Sequence, residues 1–248
     1  MTTHLSPKDR IIFPLDVPNL KEARRFVRLL KKDIDVFKIG LELFVSEGPD
    51  IIRMVKKEGG AKIFLDMKFH DIPETVRRAY AAASRHGVDF VTVHCDDTSL
   101  LKSAANGSSQ KTKVLGVTVL TSLSGKNLKE MGLRKELQNP LKLVLHRAEL
   151  AKKAGCSGVV CSGLEVRYVK KALGRDFITV CPGIRPVWGD VKKDDQKRFV
   201  TPYEAVKNGA DYIVVGRPVR DAINPVLAAK MVADEIGTGL DFVNQCSK

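Results

Sequence analysis

The sequence predicts a (β/α)8 TIM barrel, an α/β fold, built as one domain over residues 1–248. Three observations lead there. Eight short, β-rich apolar runs alternate with longer amphipathic segments, the order expected of parallel βα units. The runs are apolar throughout, as strands covered on both faces are. Eight such units in 248 residues match the size of this barrel. The runner-up, an open dinucleotide-binding sheet, would carry G-x-G-x-x-G after its first strand, and none stands there.

The first strand is IIFPLDV (11–17), followed by LKEARRFVRLLKK (20–32), whose apolar residues recur at helical spacing. DVFKIG (35–40) is the second strand, and its helix GPDIIRMVKKEG (48–59) ends in glycine as helices tend to. The third strand, AKIFLDMK (61–68), leads into PETVRRAYAAASRHG (73–87), with proline in the first turn and glycine at the end. VDFVTVHC (88–95) and KVLGVTVL (113–120) are strands four and five, and LKLVLHRAELAKKAG (141–155) is helical. SGVVCS (157–162) and FITVCP (177–182) are strands six and seven. The helix TPYEAVKNGA (201–210) precedes the eighth strand, DYIVVG (211–216). No linker or low-complexity tract interrupts the series. The longest irregular stretch, GIRPVWGDVKKDDQKRFV (183–200), is of a length usually reserved for function in a compact domain.

Composition narrows the class. Hydrophobic residues make up 44% of the chain, enough for a sizeable core. No apolar run approaches the roughly 18 residues that span a bilayer, and MTTHLSPKDR lacks the apolar stretch of a signal peptide. A cytoplasmic protein without membrane contact is expected. The five cysteines are odd in number and form no C-x-x-C pair, so reduced, mostly buried thiols are expected rather than a disulfide framework or zinc site. The net charge of +13 fits nucleic acid or an anionic small substrate. The basic residues, however, sit in short helical pairs such as Arg24-Arg25 and Lys56-Lys57, interleaved with acids. These read as solvated helix faces, and nucleic acid is not an expected partner.

Barrel active sites lie at the C-terminal ends of the strands, and here those ends are charged. Strand one ends at Asp16, strand two contains Lys38, and strand three ends in Asp66 and Lys68. Residues two apart on a strand share a face, so Asp66 and Lys68 point to the barrel mouth while Leu65 and Met67 pack outward. One buried ion pair is compatible with a structural role, although such pairs seldom improve stability. Four ionisable groups converging on one mouth are better explained by a site. Asp71 reads as the N-cap of the following helix, with Glu74 completing a capping box. On the other side, the loops after strands seven and eight are the usual place for a phosphate. There Gly183 and Arg185, then Gln196, then Gly216 and Arg217, offer close backbone approach, an amide and two guanidinium forks. His94 ends strand four and reads more simply as a hydrogen-bonded structural residue than as an acid–base group. The pleat does not fix the direction of His70.

Asp66-x-Lys68-x-x-Asp71-Ile72-Pro73-x-Thr75 resembles the signature of the orotidine 5′-phosphate decarboxylases, of the bacterial type. Asp16 in PLDV, Lys38 in FKIG, Thr121 in VLTSL, PGIRP at 182–186, Gln196 and VGRP at 215–218 match in order, so the resemblance covers nearly the whole chain. It implies decarboxylation of orotidine 5′-monophosphate to UMP, the last step of de novo pyrimidine synthesis, with no metal and no organic cofactor. It implies an alternating array of Lys38, Asp66, Lys68 and Asp71, with Lys68 as proton donor and Asp66 beside the substrate carboxylate. It implies that Asp16 and Lys38 hold the ribose, that Thr121 contacts the pyrimidine, and that Arg185, Gln196, Gly216 and Arg217 hold the phosphate. Asp71 and Thr75 would complete the neighbouring subunit's site, which implies a homodimer. Phosphate binding would supply energy for closing the 183–200 loop.

Two positions depart from the pattern. His94-Cys95-Asp96-Asp97 replaces a small, glycine-rich stretch, and Cys181 stands where threonine is common. Sugar-phosphate relatives share Asp-x-Lys-x-x-Asp but use Mg2+ and place a glutamate in strand two; Lys38 there discriminates against them. A non-catalytic basic barrel that binds nucleic acid leaves the pairing of acids with lysines unexplained.

Overall fold

The computed structural model describes residues 5–59, 61–107, 111–189 and 199–246. Eight parallel strands close a barrel in sequence order, with β1 pairing both β2 and β8. They are β1 (Ile11–Pro14), β2 (Val36–Ile39), β3 (Lys62–Phe69), β4 (Phe90–His94), β5 (Lys113–Val117), β6 (Gly158–Val160), β7 (Ile178–Cys181) and β8 (Tyr212–Val214). Each falls on its predicted run, and most are shorter than it. Leu15, Val17, Val119 and Val215 lie past their strands yet are buried, so those residues are apolar because they pack, not because they pair.

Around the barrel run α1 (Leu20–Leu30), α2 (Leu41–Glu47), α3 (Asp50–Gly59), α4 (Pro73–Arg85), α5 (Thr98–Gly107), α6 (Gly125–Glu130), α7 (Pro140–Lys153), α8 (Val166–Leu173), α9 (Pro202–Lys207), α10 (Arg217–Arg220) and α11 (Pro225–Cys246). The five predicted helices are α1, α3, α4, α7 and α9. Among the rest, α5 is started by Asp97, whose carboxylate accepts from the backbone N–H groups of Ser99 (3.0 Å) and Leu100 (3.2 Å).

The pleat sorts the strand residues into two layers. Ile12, Val36, Phe64, Phe90, Leu115, Val180 and Tyr212 fill the barrel interior. Their neighbours Ile11, Phe13, Phe37, Ile39, Ile63, Leu65, Val91 and Val93 pack under the helices, and Met67 packs against that same outer layer. The interior rows continue upward as Pro14, Lys38, Asp66 and Thr92, so the apolar plug gives way to polar groups toward the C-terminal end. At the opposite end, the Asp35–Lys62 ion pair (2.6 Å) ties the starts of β2 and β3, and the Asp211–Lys170 pair (2.6 Å) ties the start of β8 to α8.

Basic pairs on the helix faces share acids, as their interleaving in the sequence suggests. Arg24 and Arg28 share Glu58, and Arg77 and Arg78 share Glu74. Cys95, Cys156, Cys161 and Cys181 are free and buried. Among the described residues, no helix is long and apolar enough to cross a membrane.

Candidate active site

A cavity of about 1020 Å³ opens at the C-terminal ends of the strands. Asp16, Lys38, Asp66, Lys68, Thr121, Arg185, Gly216 and Arg217 all line it, with Phe64, Val117 and Val160 as its apolar floor.

On the β1–β3 side the charges form a continuous alternating chain. The Lys38 ammonium lies 3.1 Å from Asp16 Oδ1 and 3.7 Å from Asp66 Oδ2, and the Lys68 ammonium lies 2.8 Å from the same Asp66 oxygen. Asp66 is buried. Burial by itself pushes its carboxyl up, but Lys38 and Lys68, with hydrogen bonds from Lys68 and Thr92, outweigh that and hold it below the usual carboxylate range. Asp66 is therefore ionised at neutral pH.

Asp66 and Lys68 share the cavity face, as their spacing predicted, but not by pleat alone. The β3–β4 register shifts between Leu65 and Phe69. Within that irregularity Lys68 has φ 49°, the left-handed region, and it is the sole non-glycine residue so placed among the described ones. Such a backbone costs about 1–3 kcal/mol and persists where surrounding structure enforces it, often at functional sites. Thr92 of β4 supplies part of that enforcement. Its hydroxyl accepts from the Lys68 backbone N–H at 2.8 Å and donates to Asp66 Oδ1 at 3.0 Å.

Across the cavity, the β7 and β8 loops carry three arginines. Gly183 has φ 75°, a conformation glycine adopts without cost. Arg185 follows it, and a bridge between Ile184 and Val200 pins the two ends of the long loop together. Trp188 anchors the same segment by donating to Glu235 Oε1 at 2.7 Å. At Gly216 a Cβ would stand 2.9 Å from the Pro14 side chain, so only glycine lets β8 approach β1 this closely. Arg217 begins α10, and Arg220, one turn on, also lines the cavity and donates to the Asp16 carbonyl at 3.1 Å. Gln196 lies outside the described residues.

Asp71 and Thr75 are not among the described residues that line this cavity. The predicted capping box at Asp71 does not form. Ile72 is the N-cap of α4, Pro73 occupies the first turn, and no side chain caps the helix. Asp71 stands one residue too early, and its Oδ1 accepts from the adjacent Ile72 N–H at 2.6 Å. Glu74 is drawn instead to Arg77 (2.8 Å) and Arg78 (2.7 Å).

Thr92 and Arg220 are contacts of the site that sequence reasoning missed, and the two acids after His94, singled out as a departure from the pattern, do not line the cavity. Thr92 was findable, because it follows Phe90 on the inward row and interrupts the apolar run Phe90–Val93. Asp96 accepts from Arg147, which also donates to the Thr118 carbonyl, and it faces His70 at 3.7 Å and His94 at 3.9 Å. Arg147 comes from α7, so no local pattern reveals this pairing. Burial pushes the His94 imidazole down more than Asp96 raises it.

A profile described as the orotidine 5′-phosphate decarboxylase / HUMPS family matches residues 9–232. The orotidine 5′-phosphate decarboxylase of Desulfosudis oleivorans is 48% identical over 238 residues, covering 95% of this chain and 96% of that one. The protein of the same name from Methylococcus capsulatus is 46% identical, covering 92% of each chain. The crystal structure of orotidine 5′-phosphate decarboxylase from Lactobacillus acidophilus superposes with a TM-score of 0.79 at 34% identity, over 92% of this chain and 99% of that one. With the family match over most of the chain, the curated relatives and the barrel topology in agreement, the chain belongs to the orotidine 5′-phosphate decarboxylase / HUMPS family.

Proposed function

We propose that this protein decarboxylates orotidine 5′-monophosphate to UMP, in the cytoplasm, as a homodimer and without metal or organic cofactor. The observation that carries the reading is the unbroken chain Asp16–Lys38–Asp66–Lys68 facing three arginines across one cavity. A nucleotide has the matching polarity, with phosphate at one end and a carboxylated pyrimidine near the other.

In the proposed step the C6–carboxylate bond of the pyrimidine breaks and CO2 leaves. The electron pair stays on C6, where the ring delocalises it little. The Lys68 ammonium stabilises that charge as it develops and then transfers a proton to C6, giving UMP. Solvent reprotonates the amine. Asp66, ionised and held by both lysines, lies beside the substrate carboxylate and disfavours the bound ground state. Asp16 and Lys38 hold the ribose, Thr121 contacts the pyrimidine, and Arg185 and Arg217, with Gln196 and the Gly216 backbone, hold the phosphate.

The exposed carboxylate of Asp71, outside its own chain's cavity, supports its assignment with Thr75 to the partner subunit's site. The Mg2+-dependent sugar-phosphate reading is disfavoured by Lys38. Its ammonium already occupies the space between the Asp16 and Asp66 carboxylates, where a cation would need oxygen ligands.

Incubating purified protein with orotidine 5′-monophosphate tests the proposal. Release of CO2 with formation of UMP is expected, and an unchanged substrate contradicts it. Arg217→Ala removes one charged phosphate contact, worth about 1.5–3 kcal/mol. Steady-state kinetics should show kcat/KM lower by about 10- to 150-fold, whereas an unchanged value removes Arg217 from the phosphate site.

A further inference from the structure

We infer that Thr92 is a positioning residue for the decarboxylation, its one hydroxyl fixing the Asp66 carboxylate and the Lys68 backbone against each other. The inference rests on the proposed function.

Thr92 is fully buried, on the inward row of β4 directly beneath the charged chain. Its hydroxyl holds one proton, and the direction of that proton is determined. The Lys68 backbone N–H, 2.8 Å away, is itself a donor and takes a lone pair. The proton therefore goes to Asp66 Oδ1 at 3.0 Å. Asp66 Oδ2 is left to the ammonium of Lys68 at 2.8 Å. Backbone nitrogen, hydroxyl, carboxylate and ammonium thus close a ring that begins and ends on the same lysine. The ring coincides with the register shift between Leu65 and Phe69, where the Lys68 N–H donates to the Thr92 side chain, and with the left-handed φ of 49° at Lys68. A hydroxyl that merely satisfied a buried N–H would not need to orient the carboxylate that meets the reacting group.

Thr92→Val keeps the shape and deletes the hydroxyl, and Thr92→Ser keeps the hydroxyl. For Thr92→Val we expect kcat to fall about 10- to 100-fold, since small misplacements of reacting groups cost on that order. KM and the affinity for UMP, read by calorimetry, should stay within about 3-fold, because no group that binds the nucleotide is lost. Thr92→Ser should lie within about 3-fold of wild type in kcat. Should Thr92→Val fail to fold, Thr92→Ala, which places no methyl against the carboxylate, carries the same expectation. A valine or alanine variant as fast as wild type overturns the inference, as does a serine variant as slow as valine, which would make the methyl group the operative part. Wild-type protein run alongside separates the two levels. Wild-type turnover with an unaffected Thr92→Val overturns this inference alone, whereas no wild-type turnover overturns the decarboxylase reading and this inference with it.

Discussion

Lys68→Ala is expected to lower kcat by about 10⁴-fold, about 5.4 kcal/mol of barrier, measured as loss of orotate absorbance at saturating substrate. Two effects disappear together. General-acid catalysis is worth about 10²–10⁴-fold and preorganised charge about 10²–10³-fold, and because one ammonium supplies both they do not simply multiply. The fold should survive the change. Asp66 keeps the Lys38 ammonium at 3.7 Å and the Thr92 hydroxyl at 3.0 Å, so its charge is not left unpaired. Lysine already occupies the left-handed backbone at this position, and alanine meets the same steric cost. A thermal midpoint close to wild type with activity abolished separates chemistry from folding. Near-normal activity in Lys68→Ala would remove it as the proton donor.

Asp71→Ala is expected to lose activity about 10²–10³-fold, the scale of one preorganised charge, and its partner-subunit role gives a sharper outcome. Lys68→Ala and Asp71→Ala proteins, each nearly inactive, should regain activity when mixed and allowed to exchange subunits. In a hybrid dimer one site collects both lesions and the other is intact. With random pairing, half the dimers are hybrids with one working site of two, so about one quarter of wild-type activity should return. If Asp71 instead served its own chain, every hybrid site would carry one lesion and mixing would restore nothing. The Asp71 carboxylate, bonded to the next backbone N–H and outside its own cavity, is the observation behind this expectation.

The barrel was legible because its determinants are local and repeated. Each strand run carries its own period, and the inward step from Phe64 to Asp66 follows from counting by two. Arg185 and Arg217 were legible because the loops after the last two strands have a fixed place in this fold. What the sequence concealed depends on contacts between distant segments. The bulge that turns Lys68 is set by pairing with β4, and Thr92 acts on residues 24 and 26 positions away. Asp96 meets an arginine 51 residues on. The capping box failed for a local reason that the pattern understates: Pro73 at the helix start made Ile72 the cap, and two arginines one turn on claimed Glu74.

Turnover of orotidine 5′-monophosphate by wild-type protein dialysed against excess EDTA tests most directly whether the lysine–aspartate chain works without a metal. Loss of the orotate ultraviolet absorbance, with one UMP formed per substrate consumed and a rate unchanged by chelation or added Mg2+, is the predicted result. No UMP, or a rate that falls on chelation and returns with Mg2+, would contradict it.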